Sequence, residues 1–427
     1  MKEHIEPYLS ILLCGFRKGY NTQQALVRFL EKTKLCIDVG GKVGAVMMDL
    51  SKAFDCLRHD LLIAKLHAYG FSHDALSLIY SYLHNRQQRV KVNGSFSSWK
   101  RLTLGVPQGS VLGPLLFNIY INDLLFSLNN TDVCNYADDT TLFACDIDTD
   151  SVVARLELDS ACAIKWFSDN YMKLNEDKCH LLTFGNISDD SVSVRIGSSI
   201  ITNSTEEKLL GVTLDSKLTF EQHVSNLCQK VSNKLYALSR IAHYMDQNKL
   251  RILMKSFINS QFQYCPLAWM FHSRKLNTKI NKLHERALRI TYRDQESSFE
   301  DLLGYDNSVS VHQKNLQVLM IEMFKTKHGL NPPFMKEIFC PQTNQYSLRN
   351  DRDFNLPRVR SVMYGSETVR YRGPQLWCTL PVSIRHSTNL IEFKTKIKSW
   401  KGNDCQCQCR LCRHFIPLLG FIGRDLY

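Results

Sequence analysis

A chain of 427 residues that is 44% apolar and 22% charged has ample sequence for more than one core and is not a disordered polymer. Its 53 Lys and Arg against 41 Asp and Glu give a formal charge of +12, which points to a polyanionic partner such as nucleic acid. No stretch approaches the roughly 18 apolar residues of a membrane span, and the early "SILLCGF" is too short for a secretory signal, so the expectation is an intracellular chain, nuclear or cytoplasmic, with reduced thiols.

The first informative segment is Lys42 to Arg58, "KVGAVMMDLSKAFDCLR". Gly44 to Met48 is a continuous apolar run, as in a buried central strand, and Asp49 ends it. A carboxylate at the end of a buried strand is costly unless a cation meets it. Five residues later stands Phe54, which reads equally well as a core ring or as a ring lying under a bound sugar. Leu76, Ile79, Tyr80 and Leu83 then mark one face of an amphipathic helix. "RVKVNGSFSSW" carries the Asn-Gly signal of a tight hairpin. Arg89 and Lys91 lie on one side of it, to hold template phosphates or simply to face solvent.

Further on, "LGVPQGSVLGPLLFNIYIND" has Gly105, Pro107 and Gly109 breaking regular structure before Ser110 caps a helix buried through Leu112, Leu115, Leu116 and Ile119. Such a turn can present backbone N–H groups and Gln108 to a nucleotide or template. Next comes "NYADDTTLF", with Asp138 and Asp139 at the only turn-like point between β-rich flanks, a hairpin with two acids at its tip. A second acidic pair, Asp189-Asp190, sits in the polar "NISDDSVS" and reads as an ordinary loop. If the strands bearing Asp49 and Asp138-Asp139 are neighbours, three carboxylates meet, which is an oxygen ligand set for two Mg²⁺ ions about 3.5–4 Å apart. Val152, Val153, Leu156, Ala163, Ile164 and Phe167 predict a following helix.

From Lys230 to Arg293 there are thirteen Lys and Arg against two Asp and Glu, interleaved with apolar residues. Helices with one apolar and one basic face fit a duplex held by its phosphates. Asn344 to Val359 reads as a loop or linker. The tail "CQCQCRLCRHF" offers Cys405, Cys407, Cys409, Cys412 and His414, enough for one tetrahedral Zn²⁺ or a set of unliganded thiols.

In order, "AVMMDLSKAFD", "GVPQGSVLGPLLFNIYINDL" and "YADDTTLF" closely resemble motifs A, B and C of a reverse transcriptase of the jockey-like non-LTR retrotransposons. "GFRKGYNTQQAL" before them, and "WFSDNYMKLNEDKCHLLTFG" and "KLLGVTLDSKLTFEQHV" after them, extend the likeness. The resemblance implies a right-handed polymerase with an α/β palm, then a mostly helical thumb and C-terminal region. Its segments are a fingers remnant over 1–40, a palm with a fingers hairpin insertion over 41–205, a thumb over 206–300, a connector over 301–400 and a Cys-rich tail over 401–427. It implies Mg²⁺-binding by Asp49, Asp138 and Asp139, sugar sensing by Phe54, and a nucleotide and template border at Gln108 and Gly109. Tyr136 would touch the primer end, and Lys178 either protonates the leaving pyrophosphate or is an exposed lysine in an acidic turn. RNA template, DNA primer and deoxynucleoside triphosphates are the implied partners, without a membrane. Relatives carry further fingers sequence before "GFRKG" and an upstream endonuclease, so the expectation is a chain that binds primer–template but adds nucleotides poorly. The alternative is a nucleic-acid-binding remnant without catalysis.

Overall fold

The structure is a computed structural model that describes residues 1–187, 192–342 and 353–400. Two compact units divide the chain, one formed by Met1–Phe29 with Val39–Leu210, the other by Leu30–Asp38 with Gly211–Tyr427. Helix α1, Thr22–Asp38, is shared between them. Asp189, Asp190 and the cysteines and histidine of the tail, Cys405 to His414, lie outside the described residues.

Unit 1 is built on a six-stranded sheet. Its strands in chain order are β1 (Lys42–Met48), β2 (Asp132–Tyr136), β3 (Asp139–Asp146), β4 (His180–Phe184), β5 (Ser193–Ile196) and β6 (Ser199–Ser204). Spatially they run β2-β3-β1-β4-β6-β5, so the apolar β1 is central, with β3 and β4 antiparallel on either side. β6 joins β4 in parallel, which makes the sheet mixed. Helices α2 (His59–Ala68), α3 (His73–Leu83), α4 (Gly113–Ile121) and α5 (Thr149–Asp169) complete the unit.

Packing explains why β1 carries a glycine. A Cβ on Gly44 would lie 2.8 Å from Leu156 and 2.8 Å from Val152, so the bare backbone lets α5 press directly on the sheet. The predicted apolar stripe on α5 is buried at Val152, Leu156, Ala163 and Phe167. On α3 the expected apolar face fails at Tyr80, which is 49% exposed and stacked on His84 at 4.8 Å while Ile79 and Leu83 go inward. The α4 helix starts three residues after Ser110, whose hydroxyl accepts from the Gly113 N–H at 3.0 Å. Gly113 and Leu116 to Ile121 are all buried, so α4 is a core helix rather than a one-faced one.

Unit 2 is helical where described beyond residue 220, with α6 (Glu221–Ile241), α7 (Gln247–Leu253), α8 (Arg274–Tyr292), α9 (Phe299–Asp306), α10 (Val311–Lys327), α11 (Val369–Thr379) and α12 (Leu390–Ser399) its longer elements. After α7 the backbone widens into a π-helical turn, Met254–Asn259. Reciprocal capping boxes at Ser298 and Ser310 start α9 and α10.

Replacing Gly44 with valine should destabilise unit 1 by about 1–3 kcal/mol through overpacking against α5. Chemical denaturation followed by far-UV circular dichroism reads this directly, and an unchanged midpoint would contradict the close approach of helix and strand.

Candidate active site

The acids of β1 and β3 are brought together by register. Met48 pairs with Thr140, so Asp49, one residue beyond, continues the line beside Asp139 at the start of β3. Across the β2–β3 hairpin, Tyr136 faces Asp139, leaving Ala137 and Asp138 as a two-residue turn. The Asp139 carboxyl is held above the ordinary carboxylate range, first by desolvation and then by the negative charges of Asp138 and Asp49. That mutual repulsion marks the three as one electrostatic cluster. Among the described residues, however, no three acidic, His or Cys side chains stand as a ready-made ligand group. As hard oxygen donors gathered at the edge of a buried sheet, the three still suit Mg²⁺ in chemical type.

Lys178 is close by, its Nζ 3.7 Å from Asp49 Oδ2. The backbone supports that position, because the Asn175 N–H donates to the Asp49 carbonyl at 2.9 Å and the Ser51 N–H to the Lys173 carbonyl at 2.9 Å. Phe54 serves both of its readings in part. Half-buried, it stacks on the fully buried Phe117 at 4.2 Å and meets the edge of Phe16 at 6.0 Å.

The Gly-rich loop folds back on the segment after Phe54. Gly105 donates to the Leu57 carbonyl at 2.7 Å, and a Cβ on it would lie 2.8 Å from Asp55 Cα. Gln108 Nε2 donates to Asp55 Oδ1 at 2.9 Å, which fixes its amide. Gly109 is exposed with a φ of 80°, a backbone state that glycine adopts without strain. Gln108 also lines a cavity of about 670 Å³ with Lys52, Arg86 and Arg101, three cations that carry no signal in the sequence pattern. Arg89 and Lys91 are not among its lining residues. They sit on the exposed hairpin, where Arg89 lies over Phe96 at 3.9 Å and Trp99 at 4.5 Å, and Lys91 over Phe96 at 5.1 Å.

Other positioning residues become visible only in the fold. Gly15 backs onto the hairpin tip so closely that a Cβ would lie 2.5 Å from the Ala137 nitrogen. Its carbonyl accepts from Asn118 Nδ2 at 2.7 Å, and Leu13 bridges Asn135. Buried Asn135 braces the turn from inside, donating to the Ala137 carbonyl at 3.1 Å and to Thr140 Oγ1 at 3.0 Å. Ala137 has a φ of 58°, which an L-residue adopts only when its surroundings enforce it. The one local signal is a polar Asn in the apolar "VCNYA", and it gains a meaning only when the "CGF" segment folds against the turn. Arg17, near the same segment, is occupied structurally, donating to Glu6 Oε1 at 2.8 Å and to the Ser10 carbonyl at 2.5 Å.

The chain belongs to the reverse transcriptase (RNA-dependent DNA polymerase) family, which matches residues 1–214. Within it, the relatives are those of the jockey-like non-LTR elements. The RNA-directed DNA polymerase from mobile element jockey of Drosophila melanogaster is 29% identical over 287 residues, 64% of this chain and 31% of that protein. The probable RNA-directed DNA polymerase from transposon BS of Drosophila melanogaster is 26% identical over 287 residues, 64% of this chain and 32% of that protein. The chain therefore spans about a third of the length of these relatives. Among solved structures, apo telomerase from Candida Tropicalis aligns with 73% of this chain and 54% of its own at 9% identity and a TM-score of 0.40, a distant likeness from which nothing is assigned.

Gly15→Ala should loosen the acidic turn without unfolding the sheet. Hydrogen exchange at residues 137–140 is expected to quicken about tenfold or more while the β1 amides keep their protection. Unchanged exchange at the turn would show that Gly15 does not brace it.

Proposed function

We propose that the chain catalyses RNA-templated DNA synthesis, adding deoxynucleotides to a DNA primer annealed to an RNA template. The observation that carries this reading is the β1–β3 register, which sets Asp49 beside the Asp138-Asp139 turn. Asp49, Asp138 and Asp139 would hold two Mg²⁺ ions, which activate the attacking hydroxyl and stabilise the leaving oxygen in an in-line phosphoryl transfer. Lys178 Nζ, beside Asp49, would deliver a proton to the leaving pyrophosphate. Phe54, held flat by Phe117, would border the sugar of the incoming nucleotide, while Gln108 and Gly109 line its template side and Tyr136 meets the primer end.

Duplex binding falls to unit 2. On α8, Leu276, Ile280, Ala287 and Leu288 are buried, whereas Lys275, Lys279, Lys282 and Arg286 are exposed. Their steps of four, three and four residues form one basic stripe, suited to a row of phosphates. No helix among the described residues is long and apolar enough to cross a membrane. We place the work of the chain in the nucleus or cytoplasm, where its nucleic-acid partners are. A second reading, a nucleic-acid-binding remnant with impaired catalysis, draws on Arg17, whose guanidinium is engaged by Glu6 and the Ser10 carbonyl instead of a triphosphate.

Primer extension on an RNA template separates the two. Mg²⁺-dependent synthesis that Asp139→Asn abolishes, with binding intact, establishes the first reading; duplex binding without any extension establishes the second. Changing Lys275, Lys279, Lys282 and Arg286 to alanine should weaken duplex binding and flatten its salt dependence by about 0.9 in log–log slope for each phosphate no longer neutralised. An unchanged slope would remove α8 from the interface.

A further inference from the structure

Unit 2 contains a second concave site, a cavity of about 580 Å³, within the range of small-molecule pockets. Five polar atoms of its lining residues, Asn259 Oδ1, His284 Nδ1, Asp306 Oδ2, Ser308 Oγ and Asn315 Nδ2, are shielded from solvent and have no hydrogen-bond partner among the described residues. Buried polar atoms are nearly always satisfied in native proteins, so five around one cavity call for an occupant. The cavity wall also includes Lys255 and Asn259 of the π-helical turn, an irregularity that recurs at functional sites.

The groups differ in what they ask of a ligand. Asp306 is 1% exposed, and its Oδ1 takes Arg251 Nε at 2.7 Å and the Tyr292 hydroxyl at 3.0 Å, so Oδ2 is left as a fixed acceptor. Asn259 Oδ1 is a second acceptor and Asn315 Nδ2 a donor. Ser308 Oγ can do either. Burial holds the His284 pKa down to about 4, so its imidazole is neutral near pH 7 and Nδ1 can also donate or accept. An occupant must therefore present both donors and acceptors along one edge. Phe262 adds an aromatic wall on which a flat ring can rest. Lys255, Lys314 and Lys398 complete the lining, with Lys255 and Lys398 exposed, and give the cavity a cationic side fit for an anionic group.

A flat ring with a mixed hydrogen-bonding edge, joined to an anion, is a nucleotide. We infer that this cavity binds a nucleoside monophosphate unit, its base among the unsatisfied polar atoms and its phosphate at the three lysines. The site stands apart from the palm acids and does not depend on the polymerase reading. The unit comes either as a free nucleotide or as one residue of a single strand.

Calorimetry on the full chain, without divalent ions, tests this with AMP, GMP, CMP and UMP, with inorganic phosphate, and with a short single-stranded oligonucleotide. The ¹⁵N imidazole signals of His284 report occupancy of this cavity. At least one monophosphate or the oligonucleotide should bind about tenfold or more tightly than phosphate and shift the His284 signals. Binding by the free nucleotide identifies a small-molecule site, and binding by the strand alone an extruded residue; both sustain the proposal. Charge reversal at the exposed Lys255→Glu and Lys398→Glu, which leaves the core untouched, should weaken that binding about tenfold, and Asp138→Asn should not. An unmoved His284 signal, phosphate binding as tightly as the nucleotides, or indifference to the lysine changes would overturn it.

Discussion

The pairing of β1 with β3 is the constraint on which the active site depends. It aligns Met48 with Thr140 and so brings Asp49 level with the acidic turn. Because side chains alternate along a strand, a slip of one residue would turn the inward apolar set of β1 outward and separate the acids. The buried residues Val43, Ala45 and Val46 make that slip costly, and Gly44 fixes the helix α5 against the same strand. Core packing and site geometry are thus one arrangement. The like charges at its end raise the affinity of the Asp139 carboxyl for a proton, the same electrostatic demand that a divalent cation would meet.

Around this register the turn is held from two sides. Gly15 touches it through backbone alone, and Asn135 hydrogen-bonds it from within the sheet. Neither group is chemical in itself. Both hold Asp138 and Asp139 where Ala137 takes a strained positive φ. The loop from Lys173 to Lys178 performs the matching task for Asp49, through a backbone bond from Asn175 and the nearby ammonium of Lys178.

Local pattern made much of this legible. An apolar run ending in Asp49, an acidic pair between β-rich flanks, an Asn-Gly hairpin and the stripe on α5 each carry their own signal within a few residues. What stayed hidden depends on distant partners. Gly15 was visible only as a motif glycine, since its role is set by a turn over a hundred residues later. Tyr80 fits the apolar period of α3, yet nothing local told that stacking on His84 would keep it at the surface. Lys52, Arg86 and Arg101 are far apart in sequence and ordinary one by one, and the fold gathers them at a cavity with Gln108. The polar atoms of the unit 2 cavity are of the same kind, drawn from separate helices whose own periodicity shows only that they face inward.

Metal binding at the three acids is the most direct measure of the central claim. Mn²⁺, a paramagnetic substitute for Mg²⁺, can be titrated into the chain bound to primer–template while backbone amide signals are followed. The β1–β3 register predicts selective broadening at Asp49 and at residues 136–140, lost when Asp49, Asp138 and Asp139 are changed to asparagine. Broadening confined to other acidic surfaces, or unchanged by those substitutions, would contradict it.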